Sequence, residues 1–132
     1  MYHVQNLVII DDDPFFHFII KKLMNRHTSS TTVTYSWDVM SVIDFLRNNY
    51  NDPLKLPDFI FVDLNMPVFS GWDFMKLYND LHKIIYKTIK IYVVSSSIDP
   101  NNMRKALSYP FISNYIIKPI SSEKIEEILT SL

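Results

Sequence analysis

The chain has 132 residues, no Cys, a formal net charge of −1, 48% hydrophobic residues, one Gly and seven Pro. This length and hydrophobic content predict one compact domain, and the balanced charge provides no field that would attract nucleic acid or anionic lipid. The absence of Cys excludes disulfides, thiolate metal sites and thiol nucleophiles, and no apolar run suits a secretion signal or a membrane helix. We therefore expect a cytoplasmic protein without nucleic-acid or membrane partners.

Five short apolar runs rich in β-branched residues recur, and each is followed by a segment with helical spacing. The predicted strands comprise residues 6–10, 31–35, 59–62, 89–94 and 115–117. The predicted helices comprise residues 14–27, 38–49, 71–85, 100–108 and 123–132. This alternation predicts an α/β fold in which residues 1–132 form a single doubly wound (βα)5 domain, with helices on both faces of a five-stranded parallel sheet.

Local signals mark several helix ends. Asp13–Pro14 and Asp99–Pro100 each predict an N-cap followed by the first helical residue. Ser70 and Asp73 have the spacing of a capping box. Asn48–Asn49 should end the second helix in the left-handed conformation that a Gly usually adopts.

Polar residues interrupt the apolar pattern where the first, third, fourth and fifth predicted strands end. They are Asp11–Asp13, Asp63, Ser95–Ser97 and Lys118. In a doubly wound sheet these ends converge on one edge, where ligands bind. Clustered carboxylates repel unless a cation neutralises them, and a hard ion such as Mg²⁺ prefers oxygen ligands. With a hydroxyl and an ammonium to contact phosphate oxygens, the sequence predicts a Mg²⁺-dependent site for phosphoryl transfer or phosphate binding.

Four motifs, in order, resemble those of the response-regulator receiver domain. They are Val8–Asp13, Phe61–Pro67 followed by Gly71, Val93–Ser96 and Tyr115–Pro119. The resemblance covers nearly the whole chain and implies the flavodoxin-like strand order 2-1-3-4-5. It also implies that Pro67 and Gly71 shape the loop after Asp63, with Gly71 supplying backbone freedom that other residues lack.

The resemblance implies a role for each matching acidic residue. Asp63 would be the phosphoacceptor, taking a phosphoryl group from a phosphohistidine of a histidine kinase or histidine phosphotransfer domain. Asp12 and Asp63 would bind Mg²⁺ directly, Asp11 would do so through water, and the backbone carbonyl of Asn65 would complete the protein ligands.

The same resemblance implies a switch. Ser95 and Lys118 would contact phosphoryl oxygens, and movement of Ser95 would draw Tyr115 inward and reshape the face of the last two strand–helix units. Asn65 and Ser97 occupy positions that tune phosphoryl lifetime. The chain would be a stand-alone receiver without an output domain, which catalyses its own phosphorylation and dephosphorylation but acts primarily as a signalling protein on a downstream protein target. Whether phosphorylation produces a homodimer is left open.

Two other functions fit part of the pattern. Asp11 and Asp13 form an Asp-x-Asp after the first strand, as in haloacid-dehalogenase-like phosphohydrolases, although the acidic residues after Lys118 all fall on a predicted helix. They are Glu123, Glu126 and Glu127. A pseudo-receiver, which acts as a binding module without being phosphorylated, usually lacks a site residue, and none is missing here.

Overall fold

A computed structural model describes residues 5–26 and 30–131. Within these residues the parallel strands are β1 (Gln5–Ile10), β2 (Thr31–Ser36), β3 (Phe59–Val62), β4 (Lys90–Ser95) and β5 (Ile112–Ile117). The helices are α1 (Pro14–Met24), α2 (Val39–Asn48), α3 (Gly71–Leu81), α4 (Pro100–Leu107) and α5 (Ser122–Leu129). The sheet order is β2-β1-β3-β4-β5, which confirms the predicted topology. No helix in the described ranges has both the length and the apolar character needed to cross a bilayer.

Side chains of the central strand alternate between two apolar cores, one on each face of the sheet. Ile60 and Val62 pack with α2, α3 and α4, whereas Phe59 and Phe61 pack with α1 and α5. All four residues of β3 are buried, as predicted for a strand that is covered on both faces. Because alternate side chains enter different cores, a slip of one residue would place each set in the opposite core, where it does not fit the packing, and the register is therefore fixed.

This register determines which polar residues become neighbours. Ile10 of β1 is paired with Val62 of β3, so Asp11 and Asp63 directly follow residues that lie side by side. Ser95 is paired with Ile117 in the same way at the other side of the sheet, and Lys118 follows. The predicted convergence of strand ends on one edge is therefore confirmed.

The predicted N-caps are confirmed. Asp13 accepts a hydrogen bond from the backbone N–H of Phe15 at 2.9 Å, and Asp99 accepts one from Asn101 at 2.9 Å. The capping box at α3 has both of its hydrogen bonds. These caps satisfy backbone donors that the first turn of a helix leaves without partners.

Three helices end three or more residues earlier than predicted. α1 ends at Met24, whereas the prediction extended it to His27, which lies outside the described residues. α3 ends at Leu81 instead of Ile85, because the amides of Ile84 and Ile85 both donate to the Leu81 carbonyl and form a turn. α5 ends at Leu129 instead of Leu132, because Thr130 forms its C-cap and Ser131 is not helical; Leu132 itself lies outside the described residues.

The prediction of a left-handed end for α2 is wrong. Asn49 has φ of −125°, and among the described residues Val68 alone of the non-glycine residues has a positive φ. The Asn49 side chain instead donates its amide to the carbonyl of Phe45 at 2.8 Å, as does its backbone N–H at 3.1 Å. A side-chain amide therefore satisfies the helix end where a left-handed turn was expected.

Val68 is strained, because a β-branched residue with φ of 66° brings its Cβ close to the backbone. Its side chain is 91% exposed, so packing does not offset this cost. We expect Val68→Asn to raise the free energy of unfolding by about 1 kcal/mol, since Asn tolerates the left-handed region. Urea denaturation measures the change. Ile98→Asn, at an exposed residue without a positive φ, is the control, and an equal gain there would contradict the explanation.

Candidate functional site

The three consecutive aspartates after β1 have different environments. Asp11 is 1% exposed, and its carboxylate accepts hydrogen bonds from Lys118 Nζ at 2.8 Å and from the backbone N–H of Asp13 at 2.9 Å. Asp12 is exposed, and no described hydrogen bond holds its carboxylate. Asp13 is occupied by capping α1. Asp11 is thus fixed in place, whereas the Asp12 carboxylate is available to a ligand.

Asp63 is buried directly after β3. One of its oxygens, Oδ2, lies 3.4 Å from Lys118 Nζ. The other, Oδ1, is buried and has no hydrogen-bond partner among the described residues. Carboxylate oxygens of Asp11, Asp12 and Asp63 all lie within 4.8 Å of one another. A buried carboxylate oxygen without a hydrogen-bond partner, within such an acidic cluster, is a suitable ligand for a divalent cation such as Mg²⁺.

Lys118 joins the acidic cluster to the neighbouring strand end. Its Nζ contacts Asp11 and Asp63 and lies 4.3 Å from the ring centroid of Phe16, so the cation also rests on an aromatic face. Its backbone N–H donates to the carbonyl of Ser95 at 2.9 Å, and the following peptide bond, to Pro119, is cis. The predicted placement of Lys118 beside the carboxylates is confirmed.

Burial dominates the electrostatics of Asp11. It raises the pKa of the Asp11 carboxyl above its ordinary value, because the hydrogen bonds from Lys118 and from the Asp13 backbone offset only part of the desolvation. Burial by itself would lower the pKa of Lys118, but its hydrogen bond to Asp11 and the negative charges of Asp63 and Asp11 outweigh burial and raise it. The charged form of the Lys118 ammonium is therefore stabilised, whereas burial destabilises the charged form of the Asp11 carboxylate.

Asp11→Asn is expected to make the metal-free domain more stable at neutral pH. The pKa of the Asp11 carboxyl is higher in the folded than in the unfolded state. Protonation of Asp11 therefore stabilises the folded state fully at pH values below the ordinary carboxyl pKa. This stabilisation is lost as the pH rises through the raised pKa. The stability advantage of Asp11→Asn over wild type should therefore grow with pH across this window and then level off.

Urea denaturation over a pH series without Mg²⁺ measures this advantage. Asp80→Asn, at an exposed position of α3, is the matched control. An advantage of Asp11→Asn that shrinks as the pH rises would contradict the assignment of a desolvation cost to Asp11.

Ser95 and Tyr115 are connected through Ser97. Ser95 is fully buried, and its Oγ accepts a hydrogen bond from the Ser97 N–H at 3.3 Å. Tyr115 is half-buried and donates its hydroxyl to the Ser97 carbonyl at 2.9 Å. Asn102 of α4, which the sequence did not single out, donates to Ser97 Oγ at 2.9 Å. No described hydrogen bond joins Ser95 to the carboxylates, and its link to the cluster is the backbone bond from Lys118.

The loop between β3 and α3 places Asn65 and Pro67 on the surface and brings Gly71 against Asp63. The N–H of Gly71 donates to the Leu64 carbonyl at 3.0 Å, and an added Cβ would lie 2.2 Å from the backbone oxygen of Asp63. Gly71 does not have a positive φ, so the expectation that it supplies backbone freedom is wrong. It is needed because α3 approaches the backbone of Asp63 and Leu64 too closely for a Cβ.

Two residues of α1 that the sequence did not single out also contact this site. Phe16 lies under the Lys118 ammonium, and His17 places Nε2 2.7 Å from the backbone carbonyl oxygen of Asp11. Both are buried, as expected for packed side chains. Their polar contacts depend on how α1 docks on the sheet, and no local pattern signals them.

Comparison with known proteins agrees with this geometry. The model of the family described as response regulator receiver domain matches residues 7–130. A two-component response regulator from Cytophaga hutchinsonii superposes with a TM-score of 0.82 and 22% identity, over 96% of this chain and 94% of that one. A response regulator receiver protein from Dyadobacter fermentans superposes with a TM-score of 0.79 and 28% identity, over 95% and 94%. The probable methanogenesis regulatory protein FilR2 of Methanothrix harundinacea is 20% identical over 126 residues, 96% of this chain and 79% of the relative.

The fold and the acidic edge are therefore those of a receiver type of signalling domain. The chain belongs to the response regulator receiver domain family of two-component signalling. Members of this family bind Mg²⁺ at an acidic pocket and interact with histidine kinases and with downstream targets.

Proposed function

We propose that Asp63 accepts a phosphoryl group from a phosphohistidine of a histidine kinase or histidine phosphotransfer domain, in a Mg²⁺-dependent reaction. The observation that carries this proposal is the buried Oδ1 of Asp63, which has no hydrogen-bond partner among the described residues and lies in a cluster with two further carboxylates and one ammonium. An Asp63 oxygen attacks phosphorus and forms an acyl phosphate. The bond from phosphorus to the donor imidazole breaks, and its electron pair stays on the imidazole nitrogen.

The ligand roles follow from what already occupies each carboxylate. Asp11 has its oxygens engaged by Lys118 and by a backbone N–H, which supports an indirect role through water. Asp12 is exposed and unengaged, which supports direct ligation together with Asp63 and the carbonyl of Asn65. When bound, Mg²⁺ supplies positive charge that offsets the charge on the phosphoryl oxygens.

Lys118 and Ser95 are proposed to contact the remaining phosphoryl oxygens. Lys118 already reaches Asp63, so its ammonium is in place before transfer. Ser95 Oγ accepts from the Ser97 N–H, so a movement of Ser95 toward a phosphoryl oxygen is transmitted to Ser97. The change is expected to shift Ser97 and the carbonyl that holds Tyr115, so that Tyr115 is drawn inward and the face formed by α4, β5 and α5 is reshaped. In this scheme Ser97 and Asn65 tune the lifetime of the acyl phosphate, and the altered face contacts a downstream protein.

A small phosphodonor tests the proposal without a kinase. Incubation with Mg²⁺ and phosphoramidate should add one phosphoryl group to the wild-type protein, measured by intact mass, and hydroxylamine should remove it. Asp63→Asn should gain none. Asp80→Asn, at an exposed aspartate of α3, should behave as wild type. Equal incorporation in Asp63→Asn, or none in the wild type, would contradict the proposal.

The alternatives have less support. A phosphohydrolase of the haloacid-dehalogenase type needs Asp11 and Asp13 together, but the Asp13 carboxylate caps α1, and Glu123, Glu126 and Glu127 lie on α5. Steady turnover of a phosphate ester by Asp63→Asn would favour that function. A pseudo-receiver would be favoured if a Mg²⁺ titration showed no binding.

A further inference from the structure

His17 of α1 is 4% exposed, and its ring makes one polar contact within the described part of the chain, from Nε2 to the backbone carbonyl oxygen of Asp11 at 2.7 Å. A carbonyl oxygen can only accept, so Nε2 carries a proton and donates it. Nδ1 is buried without a hydrogen-bond partner among the described residues, and the ring packs against Tyr35 and Trp37. The imidazole therefore has a fixed Nε2–H donor, and its Nδ1 has no partner among the described residues.

An apolar side chain would fill this space without burying an unpaired nitrogen, which is unfavourable. What an apolar side chain could not supply is the Nε2–H donor. That N–H donates to the Asp11 carbonyl oxygen, which belongs to the peptide unit between Asp11 and Asp12. Because a peptide unit is planar, a bond to its oxygen also restrains the backbone nitrogen of Asp12.

Asp12 depends on this restraint more than Asp11 does. Asp11 is held independently by its backbone bond to Ser36 and by its carboxylate bonds to Lys118 and Asp13. The exposed carboxylate of Asp12 has no described hydrogen bond, so the backbone on either side determines where it points.

We propose that His17 is a positioning residue of the Mg²⁺ site: its Nε2–H fixes the peptide plane between Asp11 and Asp12 and so presents the Asp12 carboxylate to the ion. This inference rests on the proposed function, which assigns Mg²⁺ to the acidic cluster. Removing a hydrogen bond that orients a metal ligand typically lowers metal affinity by about 10- to 100-fold.

Mg²⁺ binding, measured by isothermal titration calorimetry without any phosphodonor, tests the proposal. His17→Leu, which lacks a donor, should weaken the affinity by about tenfold. His17→Gln places an amide nitrogen near the position of Nε2 and should recover most of the affinity, whereas the shorter side chain of His17→Asn should not. His82→Leu is the matched control, because His82 also buries an unpaired nitrogen, against Tyr78 and Phe111, and should leave the affinity unchanged.

Wild-type affinity in His17→Leu, or equal losses in the Gln and Asn variants, would overturn the role of His17. If the Leu variant fails to fold, nitrogen NMR of the metal-free wild type decides instead. The proposal requires a proton on Nε2, and a ring protonated on Nδ1 alone would overturn it. A wild type that binds no Mg²⁺ would overturn the proposed function itself, so the two failures are distinguishable.

Discussion

Gly71→Ala is expected to lower the free energy of unfolding by about 2 kcal/mol and to slow phosphorylation of Asp63 by about 100-fold. The added Cβ would lie 2.2 Å from the Asp63 backbone oxygen, so the loop or the start of α3 must shift, and overpacking of this kind costs about 1–3 kcal/mol. A displacement of about 1 Å in a reacting group can reduce a rate by about 100-fold. Urea denaturation and the rate of phosphorylation by phosphoramidate measure the two effects.

The sign of the stability change makes this test decisive. Gly71 begins α3 with a φ that is not positive, so helix propensity alone predicts that Ala stabilises the protein by up to about 1 kcal/mol. Lys76→Ala, at an exposed position of the same helix, should change neither quantity appreciably. A stabilised Gly71→Ala protein that is phosphorylated at the wild-type rate would show that the close approach to Asp63 is unimportant.

Lys118→Met is expected to reduce the rate of phosphorylation by phosphoramidate by about 10²- to 10³-fold. The variant loses the ammonium that lies 3.4 Å from Asp63, and removing a preorganised group that stabilises developing charge typically costs this much. Mg²⁺ affinity should change in the opposite direction. In this variant the Lys118 ammonium no longer offsets the repulsion among the three carboxylates. A bound Mg²⁺ therefore relieves more of this repulsion and binds more tightly.

Slower phosphorylation combined with tighter Mg²⁺ binding separates a catalytic role of Lys118 from a general loss of structure, which would weaken both. Lys124→Met is the control, because Lys124 makes only a surface pair with Glu127, at 3.3 Å. Weaker Mg²⁺ binding by a folded Lys118→Met protein would contradict the electrostatic account of the site.

The sheet and the acidic cluster could be predicted because both depend on patterns that are local in sequence. The apolar run Phe59–Val62 marks a strand buried on both faces, and the first polar residue after it is Asp63. Asp11 and Lys118 follow their strands in the same way. Parallel pairing then brings these residues to one edge, however the helices pack.

The contacts of the helices with this edge could not be predicted in the same way. Phe16 fits the inward stripe of α1, and hydrophobic spacing does not distinguish a core phenyl ring from one that lies under an ammonium. His17 and Asn102 likewise reach backbone and side-chain atoms of loops that follow other strands. Such contacts depend on how each helix docks, which is a tertiary property.

Gly71 and Asn49 show a second limit. Local rules assign an isolated Gly or a helix-terminal Asn to a left-handed conformation, but neither residue adopts it. Gly71 is required by the approach of another segment, and Asn49 uses its side chain to satisfy a carbonyl. In both cases the residue type marked a position with a special requirement, but the left-handed backbone conformation predicted from it was wrong.

Locating the phosphoryl group on the wild-type protein tests the central claim most directly. After reaction with Mg²⁺ and phosphoramidate, borohydride reduction converts an aspartyl phosphate to homoserine, and peptide mass spectrometry locates the change. The proposed function predicts conversion of Asp63 alone, with Asp11 and Asp12 unchanged. Conversion of Asp11 or Asp12, or no converted aspartate in a protein that binds Mg²⁺, would contradict it.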